Sequence, residues 1–302
     1  MKLFKHALTT AILVLSLAAP VAAGPFEDAI AATGRGDYAT ALRLLRLLAQ
    51  GDAGAQSDLG VMYEKGEGVT QNYAEAVRRY RLAADQGDAI AQVNLGGMYR
   101  NGRGVPQNDA EAVRWYRLAA DQGFAAAQVN LGAMYRNGRG VPQSDAEAVK
   151  WYRHAADQGD AFAQVDLAGM YDTGSGVPQD DAEATKLYRL AANQGDPFGQ
   201  FQLGFKYSTG RGVTQSDAEA VRWYRLAADQ GNAFAQQNLG LMYSNGRGVP
   251  QNYVLAHMWF NLSAAQDRQS AAQNRDMVAQ RMTPAQIAEA IKLAREWRPP
   301  TR

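Results

Sequence analysis

A single repeating pattern occupies most of the chain and limits what it can fold into. From Ala53 to Arg268 the same pattern returns every 36 residues, six times in succession. A period of this length is typical of a solenoid, in which each repeat buries its apolar face only against its neighbours. The sequence therefore predicts a stack of six similar repeats.

Each repeat predicts two helices. In the second repeat the first helix runs from Ala89 to about Asn101, with Asp88 as its N-cap and Gly102 as the left-handed residue that ends it. The second helix begins at a capping box formed by Asn108 and Glu111. The pattern thus indicates an all-α fold of antiparallel helix pairs joined by short, glycine-rich turns.

The segments that flank the repeats are predicted to be helical caps. Residues 24–52 contain a short helix from Phe26 to Ala32 and a helix from Asp37 to Gln50 that resembles the second helix of a repeat. Residues 269–302 are helical in composition and contain a capping box at Thr283–Gln286. Terminal repeats of a solenoid need such caps because one of their faces has no neighbour.

Residues 1–23 predict a secretory signal peptide. Lys2 and Lys5 give a basic start, the run Ala11–Ala19 is almost entirely apolar, and small residues precede a cleavage point after Ala23. The alternative is a membrane anchor, but a transmembrane helix needs roughly 20 apolar residues. We expect a protein with no membrane span after cleavage, exported to the periplasm of a Gram-negative bacterium or secreted.

The composition excludes several kinds of site. The chain has no Cys, which excludes disulfides, thiolate metal sites and cysteine nucleophiles. The near-balance of 31 Lys+Arg with 30 Asp+Glu offers no basic face for nucleic acid. His154 and His257 are expected at half-buried helix positions without a nucleophile beside them. The sequence therefore predicts no catalytic residue, no metal and no cofactor.

The repeat resembles a known family. Its pattern is Ala-x-Ala-Gln-x-x-Leu-Gly-x-Met-Tyr, then Gly-x-Gly-Val-x-Gln, then Ala-Glu-Ala-x-x-Trp-Tyr-Arg-x-Ala-Ala-x-Gln-Gly. This is similar to the Sel1-like repeat, a relative of the tetratricopeptide repeat, over more than two-thirds of the chain. The resemblance implies a right-handed α-solenoid that serves as a non-enzymatic scaffold or adaptor. Relatives that restrain envelope sensor kinases or assist exopolysaccharide export suggest a regulatory or assembly role.

The predicted binding surface lies on the variable side of the first helices. The residues that differ between repeats share one arc of each first helix, and the resemblance implies that first helices line the concave face. Aromatic anchors with amides between them suit a peptide, although the aromatic rings could instead fill gaps between helices, and the arginines could be a solvated loop edge. The predicted partner-binding residues are Asn94, Arg100, Asn130, Arg136, Phe162, Asp166, Phe198, Phe201, Gln202, Phe205, Phe234, Asn238 and Leu241.

Two other functions remain open from the sequence. An anionic polysaccharide or peptidoglycan could bind to basic and aromatic side chains, namely Arg100, Arg103, Arg136, Arg139, Trp115, Trp151 and Trp223. Cysteine-rich relatives linked to penicillin binding imply a weak β-lactamase-like hydrolase, although this chain lacks their cysteines.

Lys206 is the most conspicuous departure from the repeat. It stands where the other five repeats have methionine, on the arc predicted to be buried. A buried amine is costly unless it extends to solvent or meets a carboxylate. The two interpretations are that its amine extends to solvent, or that the fifth repeat is locally weakened and adjusts on binding.

Overall fold

The computed structural model describes residues 24–298. These residues form sixteen α-helices and no β-strand. The predicted all-α class of antiparallel helix pairs is therefore confirmed. The chain divides into two compact units, which meet in sequence between Ala83 and Ala84. The predicted signal peptide, residues 1–23, lies outside the described residues.

The first unit contains three helices and all but the last residue of a fourth. In chain order they are α1 (Pro25–Gly34), α2 (Tyr38–Leu48), α3 (Ala53–Lys65) and α4 (Tyr73–Ala84). The α1 helix pairs with α2, and their buried faces meet α3 in one apolar cluster that includes Leu45, Leu59 and Met62. Asp37 begins α2 by accepting a hydrogen bond from the Thr40 amide at 3.1 Å.

The second unit contains twelve helices, of which the first ten are five helix pairs in repeats two to six. These are α5 (Ala89–Asn101), α6 (Asp109–Asp121), α7 (Ala125–Asn137), α8 (Asp145–Asp157), α9 (Ala161–Thr173), α10 (Asp181–Asn193), α11 (Pro197–Thr209), α12 (Asp217–Asp229), α13 (Ala233–Asn245) and α14 (Tyr253–Ala264). The C-terminal helices are α15 (Gln269–Ala279) and α16 (Pro284–Glu296). Consecutive helices from α5 to α15 pack against one another, so each repeat contacts the next.

Side-chain caps and glycine set the helix ends. Asn108 accepts a hydrogen bond from the Glu111 amide at 3.1 Å, which begins α6. Gly102 ends α5 with a φ of 66°, a left-handed conformation that glycine adopts without strain. The Glu111 carboxylate does not complete the predicted capping box and lies 3.7 Å from Arg114 instead. Both bonds of a capping box are present at the start of α16, between Thr283 and Gln286.

Within each repeat, an aromatic ring on the second helix packs closely against a small residue on the first helix. A methyl group added to Gly96 would lie 2.7 Å from Cε1 of Tyr116, so the bare backbone of α5 leaves room for the ring on α6. Ala168 occupies the equivalent position in repeat four and is fully buried. The buried tyrosines continue through the unit as Tyr152, Tyr188 and Tyr224, with Phe260 in the last repeat.

Paired glutamines connect the end of the second helix to the first helix within each repeat of the second unit, and the inner glutamine also bonds to the preceding repeat. The Gln122 side chain donates a hydrogen bond to Gln92 Oε1 at 2.8 Å, and Gln92 donates to the Ala84 carbonyl. The same 30-residue spacing pairs Gln158 with Gln128, Gln194 with Gln164, Gln230 with Gln200, and Gln266 with Gln236. The inner glutamines are buried, so each pair supplies a polar contact inside an otherwise apolar interface.

The two C-terminal helices cover the last repeat. Both α15 and α16 pack against α14 and bury Val278 and Ala294 there. The indole of Trp297, just after α16, meets Trp259 on α14 edge-on, with ring centroids 6.3 Å apart. This arrangement closes the apolar end of the stack.

Candidate functional site

The arginines at the basic end of the predicted surface form hydrogen bonds to other residues of the protein. Arg100 Nη1 on α5 donates to Asn130 Oδ1 on α7 at 2.9 Å. Arg136 Nη1 on α7 donates to Asp166 Oδ1 on α9 at 3.2 Å. These predicted binding residues thus contact one another across repeats. Asn94 is half-buried at the equivalent position of α5.

Asp166 occupies a mixed electrostatic environment. Its partial burial raises the pKa of the carboxyl group above the ordinary value, while the adjacent Arg136 guanidinium opposes that rise. Since the pair joins α7 to α9, its first role is to connect repeats three and four.

Five phenylalanines form an aromatic stripe on the first helices of repeats four to six: Phe162, Phe198, Phe201, Phe205 and Phe234. Four of them expose much of their surface, with 70% exposed for Phe162, 42% for Phe198, 38% for Phe205 and 48% for Phe234. These four rings lie on the first helices of three successive repeats, and contiguous exposed apolar surface often marks an interaction site. The four rings are therefore candidates for an interaction site.

Phe201 connects the stripe to the core. Its ring centroid lies 6.1 Å from Phe198, 5.6 Å from Phe234 and 6.1 Å from buried Tyr224. Leu241 is also half-buried and packs against the apolar core of the last repeats. Phe201 and Leu241 therefore fill space between helices, as one interpretation of the sequence proposed, whereas the four exposed phenylalanines do not.

The polar members of the predicted site are anchored beside the stripe. Gln202 Nε2 donates to the Tyr188 hydroxyl at 3.4 Å, and Asn238 hydrogen-bonds to the Tyr224 hydroxyl. Burial raises the pKa of both tyrosines, which keeps their hydroxyls protonated. The amides are half-buried and held at fixed positions, which favours pre-organised polar contacts over adaptable ones.

Arg268 was not predicted to belong to the site. Its guanidinium carbon lies 3.7 Å from the ring centroid of Phe234, and its Nε donates to Gln237 Oε1 at 3.0 Å. It therefore places a cation at the end of the aromatic stripe. The available signal was a departure from the repeat, because the equivalent positions carry Asp88, Phe124, Asp160, Asp196 and Asn232.

A small cavity extends the apolar surface beyond α13. It has a volume of about 180 Å³ and is lined in part by Leu241, Phe260 and Met277. Met277 on α15 is exposed. The apolar region thus continues from the repeats to the C-terminal helices.

The side chains proposed for glycan binding are either buried or paired with another repeat. Trp115, Trp151 and Trp223 are buried in the stack. Arg139 Nη2 lies 2.9 Å from Asp109 Oδ1, so this arginine also connects two repeats. The basic and aromatic residues do not form a shared exposed surface.

The two histidines lie in different environments. His154 is exposed, contrary to the expected half-buried position, and its ring lies 5.8 Å from Trp151. It faces outward because its position on α8 follows that of exposed Arg153 on the side away from the core. His257 is buried on α14, where burial lowers its pKa.

Residues 24–298 contain no cluster of three or more His, Cys, Asp or Glu side chains that could hold a metal ion. Within the same residues, no helix has the length and apolar character that crossing a membrane requires.

Comparison with known proteins identifies the repeats. The Sel1 repeat model matches six consecutive segments, residues 53–88, 89–124, 125–160, 161–196, 197–232 and 233–267. A comparison with curated protein sequences gave no match.

Two crystal structures have a similar fold. A Sel1 repeat protein from Oxalobacter formigenes is 34% identical, with 80% of this chain and 97% of that chain covered and a TM-score of 0.72. The protective antigen c5321 of uropathogenic Escherichia coli, which displays an SLR fold, is 27% identical, with 90% and 83% covered and a TM-score of 0.51. The family model matches well over half of the chain, and this chain belongs to the Sel1 repeat family.

Proposed function

We propose that this chain is an exported, non-enzymatic scaffold that binds a peptide segment of a protein partner through the aromatic stripe. Sel1 repeat solenoids generally mediate protein–protein interactions, and the family is generally non-enzymatic. The exposure of four phenylalanines on α9, α11 and α13 carries the proposal.

The chemistry of the stripe favours a peptide over a sugar or a small molecule. Burying a phenylalanine side chain contributes about 1.5–3 kcal/mol, so several rings provide substantial affinity to an apolar guest. Gln202 and Asn238 lie beside the rings and offer hydrogen bonds to a guest backbone. An extended segment that carries apolar side chains can use both features together.

The proposed cellular context rests on the N-terminal sequence. The signal-like residues 1–23 support export, with the periplasm as the first location and secretion as the alternative. A scaffold there would serve envelope regulation or exopolysaccharide assembly. N-terminal sequencing of protein recovered from the periplasm should give Gly24 as the first residue, whereas an intact Met1 would contradict export by cleavage.

The binding test needs a variant that changes the stripe but leaves the core unchanged. Phe201 is unsuitable because it packs against Tyr224. We would replace Phe162, Phe198 and Phe205 with asparagine. The matched control replaces Leu118, Leu190 and Leu226 on the second helices with asparagine, because these leucines are similarly exposed.

Wild type, variant and control would each be screened against a random peptide library displayed on phage and used for capture from a periplasmic extract. Selected peptides should be rich in apolar residues and bind wild type and control equally. The stripe variant should lose about 100-fold in affinity for them. Equal binding by a helical stripe variant would disprove the site, and loss of helicity would show that the phenylalanines are needed for folding.

A further inference from the structure

Lys206 is a buried charge that the proposed binding function does not use. Its side chain on α11 is only 1% exposed, so the expectation that its amine extends to solvent is wrong. The other five repeats have Met62, Met98, Met134, Met170 and Met242 at this position. The chain therefore buries one ammonium group where an apolar side chain would serve.

The amine is bonded to two carboxylates of the preceding repeat. Lys206 Nζ donates to Asp172 on α9 and to Asp181 Oδ1 on α10, the latter at 2.7 Å. Arg211 Nη2 donates to the same oxygen of Asp181 at 2.9 Å. These bonds lower the pKa of Asp181, and the Tyr188 hydroxyl is also bonded to Asp172. All of these charges lie at the contact between repeats four and five.

Asp172 is itself a departure from the other repeats. Its equivalents are Glu64, Arg100, Arg136, Ser208 and Ser244. If α11 stacked on repeat two or three, Lys206 would keep an equivalent of Asp181, in Asp109 or Asp145, but would meet an arginine in place of Asp172. If a methionine-bearing first helix stacked on repeat four, Asp172 would lose its cation. Within the second unit, only the native order places these two side chains together.

We propose that the Asp172–Lys206 pair helps to fix the order in which the repeats stack, so that repeat five docks on repeat four and not on repeat two or three of the same or of another molecule. Near-identical repeats create the need for such a device, because their apolar contacts fit several orders about equally well. A buried ion pair contributes little net stability compared with apolar residues, whereas a wrong pairing buries an unpaired or like charge.

The next interface of the chain supplies the test variant. Ser208 and Met242 occupy the equivalent positions between repeats five and six, so Asp172→Ser with Lys206→Met copies an interface that already exists in this protein. A second variant, Ser208→Asp with Met242→Lys, duplicates the ion pair at the next interface. This variant has two such ion pairs, so each lysine-bearing helix can stack on either of two aspartate-bearing repeats.

Each protein would be unfolded in denaturant and refolded at low and high concentration, with the monomer fraction measured by size-exclusion chromatography and light scattering. Equilibrium unfolding would be measured in parallel. We expect the first variant to be at least as stable as wild type and the second to be no more stable, because buried ion pairs add little compared with apolar residues. Both should give at least twofold less native monomer at high concentration, beyond what their stability accounts for, with additional slow refolding phases.

Unchanged refolding in both variants would overturn the proposal. It would also be overturned if monomer yield fell only in proportion to stability, or if the first variant failed to fold. Either result would make the pair a stabilising contact instead of a determinant of stacking order.

Discussion

The Arg136 guanidinium and the Asp166 carboxylate lie 3.2 Å apart on neighbouring first helices, so two residues predicted to contact a partner are bonded to each other. Arg100 and Asn130 form the equivalent contact one repeat earlier. The polar side chains at this end of the surface thus serve contacts between repeats, and the binding proposal depends on the aromatic stripe.

Arg136→Gln should therefore have a small effect. The pair is partly exposed to solvent, and such pairs contribute up to about 1 kcal/mol. We expect urea denaturation to show a loss within this limit, smaller at high salt, and peptide affinity to change by less than about twofold. A tenfold loss of affinity with intact stability would show that Arg136 contacts the partner directly.

Local sequence signals were sufficient to predict the helices. The range Ala89–Asn101 was predicted because Asp88 and Gly102 act on the adjacent backbone, and α5 has these bounds. Exposure was harder to predict. Phe198 and Phe201 lie one turn apart on α11, but only Phe201 faces Tyr224, and the sequence does not encode that orientation locally.

Contacts between residues far apart in the chain could not be predicted from local patterns. Lys206 was recognised as anomalous, but its partner Asp172 lies 34 residues earlier, so the pairing depends on how repeats stack. The glutamine pairs were also missed, although a signal was present. Gln128 and Gln158 both recur in all six repeats, at a constant 30-residue separation.

Replacing the inner member of a glutamine pair should cost more than replacing the outer one. Gln128 is buried, donates to the Ala120 carbonyl and accepts from Gln158. Gln128→Leu removes both bonds and should lower the free energy of unfolding by about 1–3 kcal/mol. Gln158→Ala should cost less because Gln158 is exposed and water can replace part of its contact. Denaturant unfolding of both variants tests this order, and equal costs would contradict it.

The cap of α12 gives a prediction with an internal control. Ser216 Oγ accepts from the Glu219 amide at 3.3 Å. Ser216→Ala should lower stability by about 1 kcal/mol. Ser216→Asn should have little effect, because Asn108 caps α6 in the same way. The measurement is the unfolding midpoint of the three proteins, and an alanine variant as stable as wild type would show that this cap contributes nothing.

His257 should make stability depend on pH. Burial, and then the nearby Arg275 charge, lower its pKa below the ordinary value of 6.5, with Asp276 opposing. On acidification the unfolded chain therefore binds a proton before the folded one does, so the free energy of unfolding falls as pH drops below about 6.5 and levels off below the folded pKa. His257→Val supplies the residue found at Val113, Val149 and Val221 and should remove this contribution. Denaturant unfolding from about pH 8 to about pH 5 should show a smaller loss in the variant, and parallel pH profiles would disprove the assignment.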